Sequence, residues 1–216
     1  MNNWLKLYPG IKPKANLEPV SRLIVRTLGN DLEGFFKKSQ EERTKHIKVA
    51  LAVLGDKELK NKPHFKVYAN RLPFGLRRSD GGEFKPREWL YDLHWYEEVE
   101  GVKYQLKRLN LAVECEWLWT KTDEKVKPGE RKDSYGAVKY DFQKLLVTNA
   151  KLRLLVFRKR PDKTDKTAND DLDKYFEETI QGYDHLANDS KFLFVAFDEN
   201  IAPDKKGFYY KQIVAQ

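Results

Sequence analysis

The stretch that decides the fold runs from Glu88 to Trp119, EWLYDLHWYEEVEGVKYQLKRLNLAVECEWLW. Its first part alternates. Trp89, Tyr91, Leu93 and Trp95 fall on one side of an extended chain and Leu90, Asp92, His94 and Tyr96 on the other, because successive strand side chains point to opposite faces. Glu100-Gly101 marks a turn. Tyr104 to Trp119 then reads as a second strand, with Leu111, Val113, Cys115 and Trp117 on one face and Ala112, Glu114, Glu116 and Leu118 on the other. The pair is a β-hairpin with an apolar side and an acidic side.

Upstream, Val20, Leu23, Ile24 and Leu28 have helical spacing, and Gly29-Asn30 ends that helix. Ser39-Gln-Glu-Glu42 has the form of a capping box. The helix it starts passes Ile47, Leu51 and Leu54 to a stop at Gly55. His64 to Ala69 predicts a short strand. Met1 to Pro19, with Pro9, Gly10 and Pro13, reads as an irregular strap, and Arg71 to Arg87 as a mobile basic loop.

Downstream, Lys121 to Lys139 is a charged loop, and Asp141 is placed to cap a helix from Phe142 to Ala150. Leu152 to Phe157 is a strongly apolar strand. A long helix follows, with Leu172, Tyr175, Phe176 and Ile180 on one face and Asp170, Asp171 and Asp173 near its N-terminus. Phe192 to Phe197 and Phe208 to Val214 are further strands. This order predicts a single-domain α/β protein with a mixed central sheet flanked by helices. Residues 1–38 form an N-terminal strap and helix, and residues 39–216 the main unit of one compact whole.

The 216 residues are 40% hydrophobic and 13% aromatic, enough for one well-buried core. Lys and Arg number 41 against 33 Asp and Glu, and this surplus suits either a polyanionic partner or a lysine-rich solvated surface. The single cysteine, Cys115, excludes an internal disulfide and favours a reducing compartment. Val49 to Leu54, the longest nearly unbroken apolar run, is far short of the roughly 20 residues a membrane helix needs. A cytoplasmic protein with no membrane partner is expected.

Asp92, Glu114 and Glu116 are the candidate site. Strand alternation puts both glutamates on one face, roughly 7 Å apart along the strand, and Asp92 on the neighbouring strand can join them. Like charges so close are unfavourable unless a cation sits among them. Mg²⁺ or Mn²⁺ selects such hard oxygen ligands, and would activate a water against a scissile phosphate. The other reading is a solvated strand face whose acids pair with Lys103 or Lys107. Register matters here. A tight turn at Glu100-Gly101 sets Asp92 opposite Leu109, so bringing it opposite Glu114 requires a longer loop or a bulge.

Asp, a gap, Glu-x-Glu on a following strand, then a helix and an apolar strand resembles the core of the PD-(D/E)xK nuclease superfamily. That restriction-endonuclease-like fold is built on a helix, an antiparallel hairpin, a helix and a further strand. The segments Leu111-Ala-Val-Glu-Cys-Glu-Trp117 and Asp141-Phe-Gln-Lys-Leu-Leu146 also resemble bacterial proteins of this kind, and the likeness covers roughly residues 39–158. The resemblance implies that Asp92 matches the motif aspartate and Glu114 its central acid. Glu116 stands where most members carry lysine, a variant known among restriction endonucleases. Lys144 on the following helix is then the candidate replacement. The implied activity is metal-dependent hydrolysis of phosphodiesters in nucleic acid, DNA ahead of RNA, with Mg²⁺ or Mn²⁺ on Asp92, Glu114 and Glu116. The alternative is a nuclease-like protein without catalysis that binds nucleic acid or a protein partner. Many nucleases of this fold dimerise to cut both strands, which leaves a homodimer open.

Two basic clusters flank the trio. Arg71, Arg77, Arg78, Lys85 and Arg87 precede Asp92, while Lys121, Lys125 and Lys127 follow Glu116, as a phosphate-tracking groove requires. Each is also what a flexible lysine-rich loop looks like. Glu42 is a candidate extra ligand that its capping box already explains. His94 shares the predicted face of Asp92, and Cys115 reads as core. No P-loop, dinucleotide fingerprint, serine elbow or zinc-ligand spacing is present.

Overall fold

The computed structural model describes residues 4–7, 17–30, 35–59, 64–84, 90–119, 133–198 and 207–216. Within these, the elements are β1 (Leu5–Leu7), α1 (Pro19–Gly29), α2 (Gln40–Leu59), β2 (Phe65–Ala69), β3 (Leu93–Glu98), β4 (Leu106–Glu116), α3 (Gly136–Leu146), β5 (Ala150–Arg158), α4 (Asp162–Gly182), β6 (Lys191–Asp198) and β7 (Gly207–Val214). The strands form one sheet in the order β1-β7-β6-β5-β4-β3-β2. β4, β5 and β6 run parallel and every other pairing is antiparallel. The mixed sheet expected from the order of elements is present.

Burial explains why the three parallel strands read as they do. β5 and β6 are covered on both faces, so Leu152 to Phe157 and Phe192 to Phe197 carry near-continuous apolar runs with little alternation. On one face Leu111, Val113, Leu154 and Val195 pack against Ile24 and Val25 of α1 and Ile47 and Leu51 of α2. On the other, Ala112, Leu155, Phe157 and Phe194 pack against Val138 and Phe142 of α3 and Phe176 and Ile180 of α4. Phe176 stacks on Phe194 with ring centroids 4.3 Å apart.

Several sequence expectations need correction. Leu5–Leu7 in the expected strap is a strand, paired along the outer edge of β7 with Leu5 opposite Tyr210. Gly55 does not end α2, which continues to Leu59. It is buried where a Cβ would stand 2.6 Å from Trp95 Nε1, so glycine here permits close approach of helix to sheet. Asp141 is no N-cap. α3 begins five residues earlier, at Gly136, and Asp133 accepts the Tyr135 amide at 2.8 Å just before it. α4 likewise starts at Asp162, which puts Asp173 in its interior, where the carboxylate accepts from Trp4 Nε1 and Lys211 Nζ. β3 starts only at Leu93, so Tyr91 leaves the expected alternation and packs with the α3–α4 side. No helix of the described residues is long and apolar enough to cross a membrane.

Candidate active site

The hairpin is where the sequence posed its sharpest question. Its loop is longer than a tight turn: the Val99 amide donates to Gln105 O at 2.9 Å, with Gly101 and Tyr104 at positive φ between them. Glu98 faces Leu106 and Glu97 faces Arg108, which leaves Lys107 as an extra residue. Tyr96 faces Leu109 and Trp95 faces Leu111, which leaves Asn110 as a second. Each bulge advances β4 by one residue against β3. Leu93 therefore faces Val113, and Asp92, just outside the ladder, arrives beside the Glu114–Cys115 peptide. Its Oδ2 accepts the Cys115 amide at 3.0 Å. Loop and bulges together absorb the register conflict.

Glu114 projects to the α3 side of the sheet and is 4% exposed. Burial first, and then the negative charge of Asp141, push its carboxyl up to about 8; Lys144 opposes this shift and Asp92 adds to it. Lys144 Nζ stands 3.4 Å from Glu114 Oε1, an electrostatic contact longer than a well-formed hydrogen bond, and 2.7 Å from Asp141 Oδ1. Burial works against the charge on Lys144, but the Asp141 hydrogen bond and the Glu114 charge outweigh it and raise its pKa. The lysine is held as an ammonium between two acids.

Asp92 has its own cation. Lys48 of α2, itself buried, puts Nζ 2.7 Å from Asp92 Oδ1 and also bonds Asn70. Glu116 lies two residues beyond Glu114 on the same face, and its Oε1 accepts the Leu118 amide at 2.7 Å. Burial raises its pKa, while the Leu118 amide pulls the other way.

The structure thus sets Asp92 on the Cys115 amide and Lys144 beside Glu114, and turns Glu116 onto its own backbone. Lys103 and Lys107 are not the partners of these acids; Lys107 pairs with Glu97 instead. Two contributors escaped the sequence reading. Lys48 sits on the inward face of α2 beside Ile47 and Leu51, and a lysine on an apolar stripe was the available signal. Asp141 looks like a cap only if α3 begins at Phe142; the helix begins at Gly136, and the carboxylate lies inside it.

Among the described residues, no group of three or more His, Cys, Asp or Glu side chains is arranged to hold a metal ion. The donor chemistry nevertheless suits a hard divalent cation. The acids supply carboxylate oxygen alone, and one of them, Glu114, is buried at a cost that a cation would relieve. Lys48 and Lys144 serve as counter-ions in this arrangement.

The remaining candidates sort by contact. Glu42 closes its capping box, accepting the Ser39 amide at 2.8 Å, and is exposed. His94 is buried against Tyr68 and Tyr96, and burial lowers its pKa to about 4, so it is neutral. Burial drives the Cys115 thiol well above its ordinary range, which leaves it inert as a nucleophile. Arg78 pairs with Asp56 and Asp80, and Arg77 donates to Gly81 O, so both hold the 70s loop in shape. Lys85, Arg87, Lys121, Lys125 and Lys127 lie outside the described residues. Cations do gather at the carboxylate end of the sheet, though from a different segment. β5 places Phe157 beside Glu116, and Arg158 and Arg160 just beyond it flank the Trp119 ring at 4.3 and 4.7 Å. No known protein family matches the chain, and neither a curated protein nor a solved structure is significantly similar to it.

Proposed function

We propose that this chain is a metal-dependent phosphodiesterase of the PD-(D/E)xK kind, acting on nucleic acid, with DNA ahead of RNA. The observation that carries the reading is the doubly bulged hairpin, which sets Asp92 against the Glu114–Cys115 peptide while α3 delivers Lys144 to Glu114. Bulges interrupt ladder pairing and persist where a side chain has to be re-aimed. The order α2, β2, hairpin β3–β4, α3, β5 contains the helix, hairpin, helix and strand that the resemblance implies, with β2 as an added strand before the hairpin.

In this reading Asp92, Glu114 and Glu116 hold Mg²⁺ or Mn²⁺, and Lys144 orients the attacking water or a phosphate oxygen. The bound cation supplies an activated water and neutralises charge on the phosphate. Arg158, at the same end of the sheet, suits the flanking backbone, while Arg160 already pairs with Asp165 Oδ1 at 3.1 Å. The deciding experiment incubates supercoiled DNA and a folded RNA with the protein and Mn²⁺, comparing wild type with Glu114→Ala. Cleavage by wild type alone, stopped by EDTA, is the expected result. Equal cleavage by both proteins, with or without metal, overturns it.

A second reading has its own observation. Lys48 already pairs with Asp92, and Lys144 lies between Asp141 and Glu114, which is how a nuclease-like fold without catalysis would settle. Such a protein would bind nucleic acid with an affinity that falls steeply with salt but ignores EDTA and Glu114→Ala.

A further inference from the structure

At the opposite end of the sheet from the carboxylates, the starts of β4, β5 and β6 border a cavity of about 810 Å³, the size of a small-ligand site. Its walls combine two features that are not expected together on an idle surface. One is apolar. Leu90 (70% exposed), Val147 (67% exposed) and Leu106 are large hydrophobic side chains left in solvent, and all three line this one cavity together with Tyr91. Scattered apolar side chains need no explanation, but a cluster around a concavity marks a binding surface.

The other is cationic. Lys107, Arg108, Lys151 and Lys191 line the cavity against a single acid, Asp189. Lys107 and Arg108 share Glu97 at 3.4 and 4.0 Å. Lys151 and Lys191 have no ion pair among the described residues. Behind the Thr148 wall lies a further positive charge. Arg153, 3% exposed, donates to the carbonyls of Leu145 and Thr148, and its Nη1 has no hydrogen-bond partner among the described residues. No carboxylate among those residues pairs with it. Thr148, Asn149 and Ser190 add polar groups between the apolar and cationic walls.

We propose that this cavity binds a nucleotide-class small molecule, with its ring on the wall of Leu90, Tyr91 and Val147 and its phosphate on Lys151 and Lys191. A compact inorganic anion would leave the apolar wall uncovered, and an uncharged ring would leave the lysines unused. The inference does not rest on the phosphodiesterase reading: Lys107, Lys151, Lys191 and Leu106 lie at the starts of β4, β5 and β6, Val147 follows α3, and Leu90 and Tyr91 belong to the segment that leads into Asp92.

The test is calorimetric titration of the full chain with ADP, adenosine and inorganic phosphate as probes. ADP is expected to bind wild type with Kd below about 100 μM. Adenosine and phosphate are each expected to bind about tenfold or more weakly than ADP. The double variant Lys151→Glu, Lys191→Glu changes one exposed and one half-buried side chain, and it should weaken ADP by about tenfold or more while the far-ultraviolet circular dichroism stays unchanged. Glu114→Ala should bind ADP as wild type does, which locates the site away from the carboxylates. The proposal is overturned by no ADP binding up to about 1 mM, by binding that survives the double charge reversal, by phosphate binding as tightly as ADP, or by loss of binding in Glu114→Ala.

Discussion

Lys48 Nζ lies 2.7 Å from Asp92 Oδ1, so the helix on one face of the sheet reaches the carboxylate that begins the hairpin. With Lys48 buried and the Asp92 side chain only 20% exposed, the pair is shielded enough that removing one partner leaves a poorly solvated charge. Lys48→Met is expected to lower stability by about 3 kcal/mol, the scale for breaking a buried ion pair from one side. Asp92→Asn in that background should recover part of the loss, and a urea double-mutant cycle reads the coupling. If the two substitutions simply add, the pair is not what holds the hairpin to α2. The same Lys48→Met protein should gain more stability from Mn²⁺ than wild type does, because Asp92 has lost its competing cation.

Glu114 makes stability depend on pH in a defined direction. Its carboxyl is raised from 4.5 to about 8, chiefly by burial. Below pH 4.5 folded and unfolded chains both carry the proton. Between 4.5 and about 8 the unfolded chain releases it and the folded one retains it, so stability falls as pH rises through that window and levels off above it. The contribution is on the order of a few kcal/mol. Glu114→Gln cannot ionise, so its stability relative to wild type should climb steadily from pH 5 to pH 8 in chemical denaturation. Parallel curves for the two proteins would show that Glu114 titrates normally.

The neighbours of Glu114 should move that window in opposite directions. Asp141 raises its pKa and Lys144 lowers it. Asp141→Asn is therefore expected to bring the upper end of the window down, and Lys144→Met to push it up. Carbon-13 NMR of the glutamate carboxyl carbons across the pH range reads both shifts directly. Shifts of the same sign in the two variants would mean that packing, and not charge, sets the value.

Much of this arrangement was legible in the chain. The alternation around Leu111 to Trp117 gave β4 its two faces, and the unbroken runs of β5 and β6 announced strands buried on both sides. Glu114 has Leu111, Ala112, Val113, Cys115 and Trp117 around it, and such apolar neighbours go with the buried strand on which it lies. The register of β3 against β4 was not legible. It depends on bulges at Lys107 and Asn110, residue types uncommon in strands that do not by themselves mark where an extra residue is inserted. Lys48 was hidden for a related reason: its partner is set by helix packing, and spacing along one helix does not name a contact on another element. Asp141 was hidden because α3 starts at Gly136, which puts it inside the helix at i,i+3 from Lys144. β1 was hidden by its length, since three residues carry too little periodicity to separate a strand from a loop.

Gly55 offers a test in which two effects of known size oppose each other. In the middle of α2, Gly→Ala gains about 1 kcal/mol of helix propensity. The added Cβ would meet Trp95 Nε1 at 2.6 Å, Trp95 Cε2 at 2.7 Å and Val67 Cγ2 at 2.9 Å. Two of those atoms belong to a large ring that is itself packed in the core, so it cannot swing aside as a flexible side chain would. Overpacking of this kind costs typically about 1–3 kcal/mol, and here both the ring and the strand behind it must move. The clash is expected to win, with Gly55→Ala destabilised by up to about 2 kcal/mol net in urea. Because Trp95 sits three residues from Asp92, the displacement should also weaken Mn²⁺ binding at the carboxylates, whereas Gly182→Ala at the exposed end of α4, with nothing within 4 Å of the new Cβ, should not. A stabilised Gly55→Ala protein would mean that α2 stands farther from β3 than the contact with Trp95 requires.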